Sequence, residues 1–250
     1  MSAPTGAGDA ENLRLTVAQD AEALAAEAAA LLLRWCAEAA AARGRATVAL
    51  CGGGTPRRCY ELLAEAGLQR RARLEDWDVF LGDERVVPPG DPASNGRLLR
   101  ELLVDSGALP AARLHLVLDR WDEAEPPETA AARAAARYAE LLPDSLDVLL
   151  LGMGADGHTA SLFPGSPALE ERALRVAVAR APVAPPLRVT LTPPALAAGR
   201  HVAVLVSGAD KAAAVRRALL GPPDVRGTPA QLVRGAHWLL DRAAAAQLAR

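Results

Sequence analysis

Leu146-Asp147-Val148-Leu149-Leu150-Leu151-Gly152-Met153-Gly154-Ala155-Asp156-Gly157-His158-Thr159-Ala160-Ser161 is the stretch that decides the fold of this chain. Its first half is a continuous apolar run of strand length. Its second half is a glycine-rich turn carrying an acid, an imidazole and two hydroxyls. A strand that is apolar along its whole length is buried on both faces, the condition of a parallel sheet covered by helices. In open α/β sheets ligands bind beyond the carboxyl ends of the strands. The turn therefore sets titratable groups where a small molecule would sit.

The same alternation extends outward in both directions. Apolar runs predict strands at 47–51, 78–81, 113–117, 147–151, 174–179, 188–191 and 201–207, and Ala/Leu-rich segments predict helices at 20–43, 56–66, 94–104, 128–142, 210–220 and 242–249. Strand–helix alternation of this kind predicts an α/β fold: a mainly parallel sheet with helices on both faces. Pro/Gly-rich breaks at 88–92, 125–127, 182–186 and 221–229 are short, and the alternation resumes after each, so they read as surface loops within a single domain spanning 12–250. Residues 1–11 read as a disordered tail. They have neither a basic n-region nor an apolar h-region, which excludes a signal peptide.

Composition narrows the function. The chain has 250 residues and is 51% hydrophobic but only 3% aromatic, so a large core must be built from Leu, Val and Ala. A net charge of −2 and a pI near 6.1 offer no basic field for nucleic acid or an anionic membrane. The Ala/Leu stretch at 23–33 is interrupted by Glu27 and ends at Arg34, too short and too polar to span a bilayer. Cys36, Cys51 and Cys59 are odd in number and lack metal-site spacing, which predicts free thiols and a cytoplasmic location.

Chemistry gathers at four places. Directly after the strand at 47–51 comes Gly52-Gly53-Gly54-Thr55-Pro56. Glycines let backbone N–H groups approach an anion, Pro56 suits the first turn of a helix, and a helix N-terminus adds partial positive charge. Gly53, Gly54 and Thr55 thus form a candidate phosphate cradle, although the same loop alone is equally a tight strand-to-helix turn. No Gly-Lys-Ser/Thr follows, so it is not a Walker A loop. After the next strand stands Gly82-Asp83-Glu84-Arg85. Three charges there predict either a surface salt-bridge cluster or a site in which Arg85 faces a phosphate or a developing oxyanion with Asp83 and Glu84 orienting it; Ser94-Asn95 is expected to cap the helix that follows.

The third place is the central turn. His158 is expected at the start of a short helix, whose N-terminus would hold the imidazole neutral, with Asp156 fixing its tautomer. A neutral, oriented imidazole is what a general base requires. His115, His201 and His237 lie in or beside apolar stretches and read as packing residues. Gly152-Met153-Gly154-Ala155-Asp156-Gly157 matches the dinucleotide pattern, but Pro164 and Pro167 break any crossover helix and the next strand ends at Arg180 rather than an acid. Nicotinamide binding is therefore disfavoured. Arg188 and Lys211 supply the fourth place, a cationic pair; each alone reads more readily as a solvated charge, but Lys211 sits at a helix start, where an anion nearby would offset its unfavourable position.

These four runs, in this order, resemble the 6-phosphogluconolactonase family. The resemblance covers roughly 12–245, and its most specific part is Asp156-Gly157-His158-Thr159-Ala160-Ser161-Leu162-Phe163-Pro164-Gly165. It implies a modified Rossmann-like α/β fold and hydrolysis of 6-phospho-D-glucono-1,5-lactone in the pentose phosphate pathway, with no cofactor and no metal. By the same resemblance His158 is the base, Asp156 its partner and Arg85 the group at the reacting end. Gly53, Gly54, Thr55, Arg188 and Lys211 bind the phosphate, with Asp83 beside them. The expected partner is a phosphorylated sugar lactone, bound by a monomer or weak homo-oligomer. Glucosamine-6-phosphate deaminases share the glycine loop and the Asp-Gly-His, but typically have Tyr where this chain has Arg85, and Ile-Ala-Phe-Asn where it has Thr159-Ala160-Ser161-Leu162. An inactive sugar-phosphate sensor is the other alternative, and the intact Asp156 and His158 speak against it. Cys51, Gly54 and Ala197 depart from the family pattern, which often has Ser at the first two positions and Asn at the third.

Overall fold

The computed structural model describes residues 14–248; the tail read at 1–11 lies outside them. Six parallel strands form the central sheet: β1 (Arg14–Ala18), β2 (Ala46–Leu50), β3 (Trp77–Leu81), β5 (Val148–Gly152), β8 (His201–Val206) and β9 (His237–Asp241), in the order β1-β9-β8-β5-β2-β3. In β5 the residues Val148 to Leu151 have no solvent exposure, as a strand covered on both faces requires. Six helices accompany the strands: α1 (Ala21–Arg43), α2 (Arg57–Leu68), α3 (Asn95–Leu99), α4 (Pro127–Leu141), α5 (Pro193–Ala197) and α6 (Ala212–Leu220). The Asp20 side chain starts α1 by accepting from Ala23 N, and Gly44 ends it in the left-handed region at φ 80°. The buried face of α1 alternates alanine (Ala25, Ala28, Ala29, Ala39) with Leu24, Leu32 and Trp35, so the helix axis sits close against β1, β2 and β9. Each fully buried Leu contributes roughly 1.5–3 kcal/mol of transfer free energy.

A second, antiparallel sheet of three strands was not expected. It comprises β4 (Asp83–Arg85), β7 (Leu187–Leu191) and β6 (Val176–Arg180), in the order β4-β7-β6. Gly82 is the joint between the sheets: its N–H donates to Leu50 O and its carbonyl accepts from Leu191 N. The chain thus leaves the parallel sheet at the end of β3 and enters the small sheet one residue later. Among the described residues no helix is long and apolar enough to cross a membrane.

Several expectations need correction. β1, β4, β9 and α5 went unforeseen. The strand expected at 113–117 is a 3-10 turn, Ala111–Arg113, followed by a single bridge from Leu114 to Val79. Its polar residues turn back onto β3, Arg113 and His115 lying 3.3 and 3.1 Å from Asp78. The helix expected at 94–104 is α3 followed by a π turn, Arg100–Val104. The helix expected at 242–249 is a run of turns over 242–248, closed by i to i+3 bonds such as Leu248 N to Ala245 O; so short an isolated segment cannot propagate a helix. The short helix expected at His158 is also absent.

Candidate active site

A cavity of about 250 Å³ opens at the carboxyl ends of β2, β5 and β8, the position anticipated for a ligand. Gly53, Gly54, Thr55, Asp83, Arg85, Asn95, His158 and Lys211 all line it. Larger cavities of about 520 and 620 Å³ lie beside the C-terminal half of α1 and under Phe163, but neither gathers a comparable set of polar groups.

The glycine bend follows β2. Gly53 takes φ 97°, and open space surrounds the Cβ positions of both Gly53 and Gly54. Gly52 is required for a different reason, since a Cβ there would lie 1.8 Å from Asn95 Oδ1. The bend leads into α2, whose N-terminus has no side-chain cap and no acid in its first turn, only Arg57 and Arg58. Arg58 is held by Glu22, Glu61 and Glu65. Arg57 instead lines an adjoining cavity of about 320 Å³ with Arg85, Arg97 and the glycine bend. Arg97 is paired to Glu101, but an uncapped helix start beside Arg57 and Arg85 still suits an anion.

β4 distributes three charges by the strand period of two. Asp83 and Arg85 share the face that looks onto the cavity, and Glu84 points the other way. Asp83 is pinned, accepting from Ser161 Oγ at 2.6 Å and from Asn95 Nδ2 at 3.3 Å. Glu84, 3% exposed, does not orient Arg85 by an ion pair. It accepts from Ser94 Oγ, Asn95 N, Gly96 N and Arg85 N at 2.7–3.0 Å, and so caps α3. Burial pushes its carboxyl above the usual range, and these four bonds pull the other way. Ser94 is the N-cap of α3, as its sequence position suggested, and accepts from Arg97 N. Arg85 donates from Nη1 to Ala93 O, while its buried Nε has no partner.

The His158 turn follows β5. Gly157 takes φ 93°, and bonds from Gly154 N to His158 O and from Gly157 N to Gly154 O, 3.0 and 2.9 Å, close the turn. Gly154 permits the ring's position, because a Cβ there would lie 2.2 Å from His158 Nδ1 and Cε1. Asp156 Oδ1 accepts from His158 N at 3.1 Å and lies 2.6 Å from Nδ1. With Asp156 ionised, Nδ1 is the donor and Nε2 keeps a free lone pair. No helix begins here; a bridge joins Thr159 to Leu162, so Asp156 rather than a helix dipole fixes the ring. Phe163 packs on the imidazole with centroids 4.5 Å apart. The other histidines are packing residues, His115 stacked on Phe80 and His201 on Trp35.

Lys211 ends a 3-10 turn, Ala209–Lys211, after β8, and its Nζ is 3.0 Å from Asp210 Oδ2. Arg188 stands apart from these groups. It lies directly across from Arg85 in the β4–β7 register, is 5% exposed, and is not on the cavity wall. Burial and the facing Arg85 pull its guanidinium below the usual arginine range, offset by Asp83 and Glu84, and its Nε has no partner. The structure thus gathers Gly53, Gly54, Thr55, Asp83, Arg85, His158 and Lys211 around one space, puts Asp156 behind the ring, and sets Arg188 one layer back. Asn95 and Arg57 were missed as wall residues. Asn95 gives no signal beyond capping, whereas Arg57 was legible as a cation in a helix's first turn.

A family model described as glucosamine-6-phosphate isomerases/6-phosphogluconolactonase matches residues 19–240. The chain belongs to that family. It is 41% identical to the 6-phosphogluconolactonase of Streptomyces coelicolor, over 95% of each chain, and 38% identical to that of Mycobacterium tuberculosis, over 92% of this chain and 96% of the relative. The solved structure of 6-phosphogluconolactonase from Trypanosoma brucei superposes with a TM-score of 0.83 at 30% identity, covering 95% of this chain and 99% of that one. A monomeric glucosamine-6-phosphate deaminase shares the fold at 22% identity, with a TM-score of 0.78 over 94% of this chain and all of that one.

Proposed function

We propose that this protein hydrolyses 6-phospho-D-glucono-1,5-lactone to 6-phosphogluconate, the lactone-opening step of the pentose phosphate pathway. One observation carries the reading: a single imidazole, tied through Nδ1 to Asp156 at 2.6 Å, shares a cavity with Arg85, Lys211 and the glycine bend. The 41% identity to a 6-phosphogluconolactonase supports the same substrate.

In the proposed mechanism the substrate's phosphate docks on the amides of Gly53, Gly54 and Thr55 and on Lys211. Charge-assisted bonds of this kind contribute about 1.5–3 kcal/mol each. Arg188, behind Arg85, adds positive potential to the site, and Asp83 accepts from a sugar hydroxyl. The lactone carbonyl then lies between His158 and Arg85. His158 Nε2 takes a proton from water as the water oxygen bonds to C1. Arg85 stabilises the resulting oxyanion. When the tetrahedral intermediate collapses, the bond from C1 to the ring oxygen breaks, and the imidazolium returns its proton to that oxygen. One residue serves both steps, and the chain's own groups complete the cycle without a cofactor. The free thiols of Cys36, Cys51 and Cys59 support a cytoplasmic setting.

The test is turnover of the lactone against glucosamine 6-phosphate, with His158→Ala beside the parent. The parent should open the lactone and leave the amino sugar untouched. His158→Ala should lose about 10²–10⁴-fold in kcat. Hydrolysis at the parent rate by that variant would remove His158 from the mechanism.

A further inference from the structure

We propose that Arg217 is a positioning residue for the Asp156–His158 pair, acting from α6 without touching the cavity. The inference rests on the reading of His158 as the base. The two carbonyls that flank Asp156 are both held by α6 and the segment after it. Arg217 Nη2 donates to Ala155 O at 3.2 Å, and Ala230 N donates to Gly157 O at 2.9 Å. Farther along the same loop, Gly165 N donates to Arg226 O at 2.9 Å. Gly157 also presses on this segment, because a Cβ there would lie 3.1 Å from the methyl carbon of Thr228, which is buried.

The brace is itself fastened. Gln231 Nε2 donates to Arg217 O and Pro222 O, at 3.1 and 2.9 Å, and Arg234 donates to Ala218 O and Gly221 O, both at 2.8 Å. The C-terminal end of α6 is therefore fixed, and Arg217 is the side chain it extends to the catalytic turn. Ala155 and Asp156 are exposed. Freed from Arg217, the peptide between Ala155 and Asp156 gains rotational freedom, and the carboxylate no longer holds the ring at one angle. The phosphate donors on the glycine bend and at Lys211 do not depend on this bond, so the change falls on the chemical step.

Arg217 is exposed, so its replacement opens no void in the core. Arg217→Ala should lower kcat roughly tenfold, short of the 100-fold that an ångström of misplacement costs, with KM within about twofold of the parent. Arg216→Ala, one residue away on the same helix, should match the parent in both constants. Imidazole NMR resonances of His158, assigned by their loss in His158→Ala and recorded without substrate, should shift in Arg217→Ala and stay in place in Arg216→Ala. An unchanged kcat in Arg217→Ala, equal losses in both variants, or a loss of kcat with the His158 resonances unmoved would each overturn the assignment. The resonance shift is read without turnover, so it stands apart from whether His158 is the base; His158→Ala hydrolysing at the parent rate would defeat that reading alone.

Discussion

Lys211 is the sole lysine among 28 basic residues, all the others being arginine. That one ammonium stands on the wall of this cavity. An ammonium is a compact point charge with rotatable donors, whereas a guanidinium is a rigid planar fork. At the start of α6, beside the glycine bend, compactness suits a phosphate that also accepts backbone N–H groups. Lys211→Ala should raise KM about tenfold with kcat nearly unchanged, because it removes binding shared by ground and transition states. Lys211→Arg should restore the charge but leave KM above the parent's. Steady-state kinetics with the lactone measure both, and a parent-like KM in Lys211→Ala would take Lys211 out of phosphate binding. Single residues were the most legible layer of this sequence. His158, Asp156, Asp83, Arg85 and Lys211 announced themselves by charge next to glycine after a strand. Asn95 did not, because its position against Gly52 and Asp83 exists only after β4 has turned the chain back.

Elements were legible where they are long and uniformly apolar, as β2, β5 and β8 are, or capped by residues of clear preference, as α1 is by Asp20 and Gly44. They were opaque where charge interrupts the pattern. β4 consists of Asp83, Glu84 and Arg85 and carries no apolar signal at all; it is a strand because β7 pairs with it and because Glu84 finds three donors at the α3 N-terminus. β9 offers only three apolar residues, Trp238 to Leu240, between His237 and Asp241, too short a run to read as a strand, and 242–248 looked helical from alanine content alone. The α3 cap makes β4 and α3 one mechanical unit that presents Asp83 and Arg85. Glu84→Ala leaves those three donors, and Arg85 N, without their acceptor. A buried donor left unsatisfied costs about 1–3 kcal/mol, so the urea midpoint should fall by at least that much stability and kcat should fall with it as Arg85 loses its anchor. Glu84→Gln keeps one acceptor oxygen and should lie between. If Glu84→Ala unfolds at the parent's midpoint, the cap does not hold this unit together.

At the scale of the whole molecule, chemistry and stability are placed at opposite ends of one parallel sheet. The carboxyl ends of β2, β5 and β8 hold the cavity, while the amino ends of β1, β8 and β9 hold a packed cluster of Trp35, His201 and His237. His237 is part-buried, bonded through Nε2 to Thr16 Oγ1 at 2.9 Å, and faces the charges of Arg14 and Arg34. Burial, and then those two cations, pull its pKa below the ordinary 6.5. The sign of the linkage follows directly. Between the folded pKa and 6.5 the unfolded chain binds a proton at this residue that the folded chain does not, so stability rises with pH across that window. As pH falls through 6.5 the unfolded state gains the proton first and the fold weakens; above 6.5 both forms are neutral and the contribution is flat. His237→Gln keeps a polar group near Thr16 but cannot titrate. Its difference in thermal midpoint from the parent should therefore depend on pH, the variant gaining ground on the parent as pH drops from 7.5 to about 5. Activity at pH 7.5 should be unaffected, because His237 stands at the amino end of β9 and the cavity opens at the carboxyl ends of the strands. A midpoint difference that stays constant over that range would show that His237 has the same proton affinity folded and unfolded, and that the amino end of the sheet does not set the acid limit of the fold.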